Sequence, residues 1–339
     1  MKRILIAFAC SLPFILHAQT GTPYMQKSFS RDAVHQLQAE TSGGNISVSA
    51  DPGEARIEVY IKSNNGHDIS REEIQQRLNE QFDLTVGLEG GVLKAIAKHK
   101  VHDINWNRTL SISFVIHTPS AVSSSLKTSG GNIDLKGLSG NEDFKTSGGN
   151  LTIANLSGKI TGKTSGGNVS IANSKDNIDL VTSGGNMNAE HCEGTIRLVT
   201  SGGNLDLSDI KGNIKAETSG GHVGGSNVSG ELQARTSGGN IDFDNMTGSL
   251  AASTSGGNIH VIINPAKFVD LSNSGGNITL ELPKDKGMDL NISGDQVHST
   301  AMSNFQGDVD KHRISGHLNG GGIPVKVDGN GGSVHLSFR

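Results

Sequence analysis

Hydrophobic residues recur along most of this chain with a period of 18 residues. The motif Thr-Ser-Gly-Gly opens each repeat, and from Thr128 onward successive copies begin 18 residues apart. With the threonine counted as position zero, apolar residues recur at positions +5, +7, +10, +14 and +16. The two alternating pairs predict two short strands per repeat, each with one buried face. The motif begins at Thr41, Thr128, Thr146, Thr164, Thr182, Thr200, Thr218, Thr236 and Thr254, with a degenerate copy at Asn273.

This periodicity predicts an all-β fold, a parallel β-solenoid (β-helix) whose coils each contain 18 residues and two short strands. A triangular helix would require an apolar residue every six positions, so a flattened coil with two sheets fits the pattern better. Right-handed coils are favoured, because parallel crossovers are right-handed as a rule. The paired glycines are expected to form the first turn with positive φ. A looser second turn follows, and its +10 residue closes the end of the core.

Stacked coils also align the polar residues of the motif. The asparagine after the glycines is expected to form a ladder of amides that hydrogen-bond from layer to layer. The threonine shares the strand parity of +14 and +16 and is expected to point inward, so the motif is interpreted as structural. The alternative is a polar edge that binds a repetitive polymer. The ladder consists of Asn132, Asn150, Asn168, Asn186, Asn204, Asn240, Asn258 and Asn277, and His222 interrupts it.

The ends of the chain depart from the repeat. Residues 1–18 resemble a secretory signal peptide, with a basic start and a short apolar stretch. Residues 19–126 are predicted to hold a first coil, separated from the others, and a capping module with one helix over about 71–81 and a hairpin turning near 89–91. Residues 127–282 form the regular solenoid, and 283–339 form irregular coils that close it.

Composition narrows the classes of partner. The net charge is −4, and no run of Lys or Arg is present, so nucleic acid is an unexpected partner. Without the signal peptide one cysteine remains, Cys192, at an apolar position of the repeat, so we expect it to be buried. No second apolar stretch is long enough to span a membrane as a helix.

Familiar chemistries of repetitive rods fit poorly. Calcium-binding rolls need a third glycine and a regular aspartate, and ice-binding rods need a regular outward threonine array. The outward +6 position varies, and its aspartates Asp134, Asp206 and Asp242 are separated by intervening layers, too far apart to act together in glycoside hydrolysis. We therefore predict no enzyme activity, no catalytic residue, no metal site and no cofactor.

One segment of the capping module contains the remaining candidates for binding. Trp106 is the only tryptophan, and with Arg108 it is a candidate for contact with a sugar. Packing within the cap is the alternative role for this tryptophan. His99, His102 and Asp103 are the nearest approach to a metal cluster, but a solvated charged segment is the simpler interpretation.

The order of these segments resembles a known family. "VIHTP" followed by "LKTSGGNIDLKGLSG", a series of TSGGN coils, "GGNITLELP" and "NGGGIPVKVDGNGGSVHL" are similar to the bacterial putative adhesin family, in its Bacteroidota form. The resemblance covers nearly the whole mature chain. It implies an exported β-solenoid of the cell envelope, with no established ligand or catalytic residue.

Three functions follow as hypotheses. The first is a non-enzymatic envelope or surface protein that binds a glycan, a matrix protein or an envelope polymer. The second is a periplasmic structural or stress-responsive scaffold that contacts other proteins. The third and most distant is a carbohydrate-active β-helix enzyme, which would require clustered carboxylates.

Overall fold

The computed structural model describes residues 21–100 and 109–339, and it confirms the β-solenoid. The N-terminal part contains a set of strands, a short 3-10 turn at Arg31–Ala33 and an α-helix. They are β1 (Met25–Phe29), β2 (Gln36–Glu40), β3 (Ile46–Ala50), β4 (Ala55–Ser63), α1 (Arg71–Gln81), β5 (Phe82–Glu89), β6 (Val92–His99) and β7 (Leu110–Thr118). The helix and the hairpin β5–β6 lie where the sequence predicts them.

The regular part alternates short and long strands. Each coil has a four-residue strand after the TSGGN turn and a seven-residue strand after the second turn. These strands are β8 (Ser123–Lys127), β9 (Ile133–Lys136), β10 (Ser139–Lys145), β11 (Leu151–Ala154), β12 (Ser157–Lys163), β13 (Val169–Ala172), β14 (Lys175–Val181), β15 (Met187–Glu190), β16 (Glu193–Val199), β17 (Leu205–Ser208), β18 (Lys211–Glu217), β19 (Val223–Ser226) and β20 (Ser229–Arg235).

The C-terminal strands are longer because several of them run through the second turn. They are β21 (Ile241–Thr254), β22 (Ile259–Asn273), β23 (Ile278–Leu282), β24 (Met288–Ser299), β25 (Phe305–Val309), β26 (Arg313–Leu318) and β27 (Ile323–Phe338). Strand β27 pairs in parallel with β22 and β23 on one side and with β24 on the other. The last strand of the chain is therefore an inner layer. Strand β26 pairs antiparallel with β24, and β25 pairs antiparallel with β26 at the outer edge.

Two strand faces run along the rod. On the short-strand face, each residue pairs with the residue 18 positions later, as Leu151 does with Val169. The long-strand face keeps the same register, as in the pairing of Ile160 with Ile178. Parallel pairing in this register stacks like residues on like, so the apolar positions merge into one continuous core.

The first coil is part of the stack and does not stand apart from its fellows. Strands β2 and β3 pair in parallel with β8 and β9 of the next coil. The intervening segment folds back beneath them, with β6 under β2 and β7 under β3. Strand β4 then pairs antiparallel with β7, and β1 pairs antiparallel with β4. Strand β5 pairs antiparallel with β6. This arrangement gives the N-terminal end of the core its cap.

The glycines of the first turn do not adopt the positive φ that the sequence suggested. The left-handed residues lie instead in the second turn, at +9, with φ of 51–57° at Asn155, Asn173, His191, Asp209, Asn227 and Asn245. The second motif glycine is needed for close approach. A Cβ on Gly185 would lie 2.0 Å from the carbonyl oxygen of Gly167 in the coil before.

Side chains in neighbouring layers compensate for one another in size. Gly162 occupies an inward +16 position, and a Cβ there would lie 2.3 Å from the ring of Phe144 in the layer before. The phenylalanine thus fills the space that the glycine leaves. Cys192 is buried at the +10 position as expected, and its Sγ approaches the carbonyl oxygen of Glu190 at 3.3 Å.

Candidate functional site

The asparagine ladder runs along the first turn, but its links differ from the amide-to-amide bonds expected. The side-chain carbonyl of each asparagine accepts a hydrogen bond from the backbone N–H of the next one, at 2.8 Å between Asn150 and Asn168. Asn45 begins the ladder, and Asn277 ends it with a bond from the backbone N–H of Ser333. The backbone N–H of His222 donates such a bond to the side-chain oxygen of Asn204.

The threonine of each motif points inward and is buried, as the strand parity predicts. Its hydroxyl donates to a glycine carbonyl of the coil before, at 2.8 Å from Thr182 to Gly167. The same oxygen accepts from the N–H of the second glycine in its own turn, here Gly185. Asn273 makes both types of bond with its amide in the degenerate copy. The inward groups of the motif are thus committed to holding coils together.

The residues predicted around position 100 are only partly described. Trp106, Arg108, His102 and Asp103 lie outside the described residues. The ring of His99 packs against that of Phe82, with 4.1 Å between the centroids. Burial lowers the pKa of His99. This histidine therefore contributes to packing in the cap.

The register confirms the spacing of the outward aspartates. Asp206 pairs with Gly224, which pairs with Asp242, so two layers separate these carboxylates. However, Asp242 lies close to Asp244 of the same strand and to His260 of the next one. The repeat pattern does not indicate this group, because Asp244 lies at +8 whereas Asp242 and His260 lie at +6 of successive coils.

A pocket of about 250 Å³ lies in the capping module, between the start of β1, the end of β4 and the start of α1. Both tyrosines of the chain, Tyr24 and Tyr60, line it together with the cations Lys62 and Arg71. Its apolar wall consists of Pro23, Ile61, Ile69 and Ile74. A concave site with an apolar wall and a few convergent polar groups is the usual form of a small-ligand site.

Arg71 holds one side of this pocket together. Its guanidinium lies over the ring of Tyr24, 4.9 Å from the centroid, and donates to the carbonyl oxygen of Tyr24 at 3.0 Å. The hydroxyl of Tyr24 donates to the side chain of Gln75 on α1. The residue before Arg71, Ser70, caps the helix by accepting from the N–H of Glu73 at 3.2 Å. The helix start is thereby fixed against β1.

Tyr60 forms the other side of the pocket. Strand β4 alternates, with Ile57 and Val59 buried, so Tyr60 and Lys62 lie toward its outer face. The Tyr60 hydroxyl donates to the carboxylate of Glu58 at 2.8 Å. Burial, followed by the bond to Glu58, raises the pKa of Tyr60. Alternation along β4 could have indicated Tyr60 and Lys62, but the antiparallel pairing of β1 with β4 left no signal in the sequence.

A second candidate surface lies on the long-strand face. Lys127, Lys145 and Lys163 occupy the same +17 position in three consecutive layers. All three are exposed, and Lys127 approaches Glu40 at 3.7 Å. Stacked like charges repel one another, so this row favours an anionic partner.

Among the residues that the structure describes, no helix is long and apolar enough to cross a membrane.

Comparison with known proteins gives a distant structural likeness. No protein-family model matches the chain, and no curated protein matches it. A solved structure described as a "putative cell adhesion protein" from Clostridium sporogenes ATCC 15579 is similar, with 10% sequence identity and a TM-score of 0.20. That match covers 93% of this chain and 98% of the other.

Proposed function

We propose that this protein is a non-enzymatic, exported rod of the cell envelope or surface that binds an acidic polysaccharide through the pocket in its cap. The observation that carries the proposal is the convergence of Tyr24, Tyr60, Lys62 and Arg71 on one pocket with an apolar wall. In a chain with 4% aromatic residues, this grouping sets the cap apart from the repeats.

The chemistry of the pocket suits a uronic acid or a similar acidic sugar. The C–H face of a sugar ring packs on an aromatic face, and a tyrosine also offers a hydroxyl for hydrogen bonding. Lys62 supplies a point charge, and the planar guanidinium of Arg71 matches a carboxylate with two parallel hydrogen bonds. One site of this kind at the end of a rigid rod would hold a chain end or a single residue of a polymer.

The described surface offers little to a protein partner. Val309 is the exposed large hydrophobic residue of the described part, at 58% exposure. Stable protein–protein interfaces bury an apolar core, so the scaffold alternative has less support than polysaccharide binding. The carboxylates of Asp242 and Asp244 lie on the exposed outer side of one strand and do not line the pocket, which favours binding over glycoside hydrolysis there.

Binding to acidic and neutral polysaccharides tests the proposal. The protein from Gln19 onward is titrated with polygalacturonate oligomers and, as the neutral probe, with dextran oligomers of equal length. We expect saturable binding to polygalacturonate only, weakened about tenfold or more, roughly 1.4 kcal/mol, by the double variant Lys62→Gln/Arg71→Gln.

The matched control is the double variant Lys145→Gln/Lys163→Gln, which removes the same charge from the second candidate surface. It should leave the affinity unchanged within about twofold, because those lysines lie outside the pocket. Loss of binding in this control alone would move the site to the long-strand face. Equal binding of dextran would contradict recognition of an acidic sugar.

A further inference from the structure

Two carboxylates and one imidazole meet on the short-strand face near the C-terminal end of the regular coils. Asp242 and Asp244 lie two residues apart on β21, and His260 of β22 pairs directly with Asp242 across the ladder. One ligand atom from each of the three lies within 4.8 Å of the others. The Nε2 atom of His260 lies 3.8 Å from Oδ1 of Asp244.

We infer that Asp242, Asp244 and His260 form a binding site for a divalent transition-metal ion such as Zn²⁺. Around a tetrahedral zinc with bonds of about 2 Å, ligand atoms lie roughly 3.3 Å apart, so small side-chain rotations suffice. The mixed set of one nitrogen and two oxygens suits Zn²⁺ and its neighbours better than Ca²⁺ or Mg²⁺, which prefer oxygen ligands alone. The remaining coordination positions face solvent.

The regular repeat breaks at this site. The pairing of β21 with β22 keeps an offset of 18 up to Phe243 and shifts between Phe243 and Met246. Asp244 lies inside this irregularity, next to the left-handed Asn245 with φ of 54°. Bulges re-aim side chains and are enriched beside functional sites. Asp244 of one layer lies diagonally across the ladder from His260 of the next, on the same face of the sheet.

The layer before the site is also unusual. The imidazole of His222 lies over Gly224, since a Cβ on that glycine would be 2.2 Å from Nε2. Gly224 is thereby buried although its position faces outward. The ladder bonds are continuous from Asn132 to Asn204. Among the described residues, the backbone N–H of Asn240 makes no such bond to the side chain of His222, and the ladder resumes between Asn240 and Asn258. The ring of His222 thus covers Gly224 beside the three ligand groups, where other layers carry a ladder asparagine and an outward side chain.

A simple surface ion pair would not account for this grouping. Exposed pairs such as His260 with Asp244 contribute little to stability. A second carboxylate within reach adds repulsion to Asp244, and a bound cation would remove that repulsion. The backbone fixes all three residues in the sheet, so the ordering cost of binding is small.

Calorimetric titration with Zn²⁺ tests the site, and because the probe is the metal alone, the result is independent of polysaccharide binding. We expect one Zn²⁺ per chain, with Asp242→Asn and His260→Gln each weakening the affinity about tenfold or more. Ca²⁺ should not compete. Because these side chains are exposed, the variants should retain the far-UV circular dichroism and thermal unfolding of the parent protein.

Two control variants lie on the same face. Asp206→Asn removes a carboxylate two layers away, and His298→Gln removes an imidazole that stacks on His335 at 5.1 Å nearer the C-terminal end. Both should bind Zn²⁺ with unchanged affinity. The inference is overturned if no saturable binding occurs at about 1 mM Zn²⁺, or if either control loses as much affinity as His260→Gln.

Discussion

A single hydroxyl explains why the motif begins with threonine. Thr182 donates to one coil and accepts from its own turn, so it satisfies two backbone groups in the buried edge of the core. An unsatisfied buried backbone group would cost about 1–3 kcal/mol. Valine has the same shape without the hydrogen-bonding capacity, whereas the amide of Asn273 retains it. The choice of residue follows from this donor-and-acceptor requirement.

Glu142 is a charged residue at a position that is apolar in the other coils. It occupies an inward +14 position, pairs with Ile160 in register and is 1% exposed. One carboxylate oxygen accepts from the hydroxyl of Ser124, and the other has no hydrogen-bond partner. Burial raises the pKa of Glu142 to about 7. The repeat predicts an aliphatic residue at +14, and the same register places the side chain of Glu142 in the core.

Stability should therefore fall as the pH rises. The folded protein holds the proton up to a pKa of about 7, whereas the unfolded chain releases it near the ordinary glutamate pKa of 4.5. Between these values the folded state binds more protons, so the free energy of unfolding decreases with pH by an amount on the order of 3 kcal/mol. Denaturant unfolding at pH 5 and pH 8 measures this difference.

The variant Glu142→Gln should lose this dependence and be more stable than the parent protein at pH 8. Asp143→Asn, on the exposed side of the same strand, is the matched control and should keep it. A free energy of unfolding that is equal at pH 5 and pH 8 in the parent protein would contradict the assignment.

The strand-and-turn pattern was largely readable from the sequence, because every coil repeats the same register. The positions of the two strands, the helix over Arg71–Gln81 and the hairpin β5–β6 are confirmed. The role of the glycines was wrong, since positive φ occurs in the other turn. The sequence of a single coil does not show how closely its backbone approaches that of the next coil. The close contact between Gly167 and Gly185 could be found only once the layers were stacked.

The two glycines of one turn should respond differently to alanine. Gly185→Ala would place its Cβ 2.0 Å from a backbone oxygen, whereas Gly184→Ala meets nothing closer than 3.6 Å. We expect the first variant to lower the free energy of unfolding by about 3 kcal/mol or more, because the clash falls on backbone. The second should change it by less than about 1 kcal/mol. Denaturant unfolding of the pair provides the measurement, and equal losses would contradict the close-approach argument.

At the scale of the whole molecule, both ends of the rod are built from segments that fold back. The first coil lies between the capping strands and the regular stack, and the last strand β27 is inserted ahead of β24. These insertions link residues far apart in the chain, and for that reason the pocket of Tyr24, Tyr60, Lys62 and Arg71 could not be predicted from the repeat. In this account the regular coils supply length and rigidity, and recognition belongs to the places where the repeat is broken.

Removal of one regular coil tests most directly whether the coils serve only as a rod and the cap alone binds the polymer. Deletion of residues 182–199 removes 18 residues and joins Val181 to Thr200, which restores the repeat without altering the cap. The measurement is the affinity of this shortened protein for polygalacturonate oligomers, compared with that of the parent protein. We expect a folded protein whose affinity is unchanged within about twofold. An affinity that falls when the coil is removed would contradict it, because the repeated strand faces themselves would then bind the polymer.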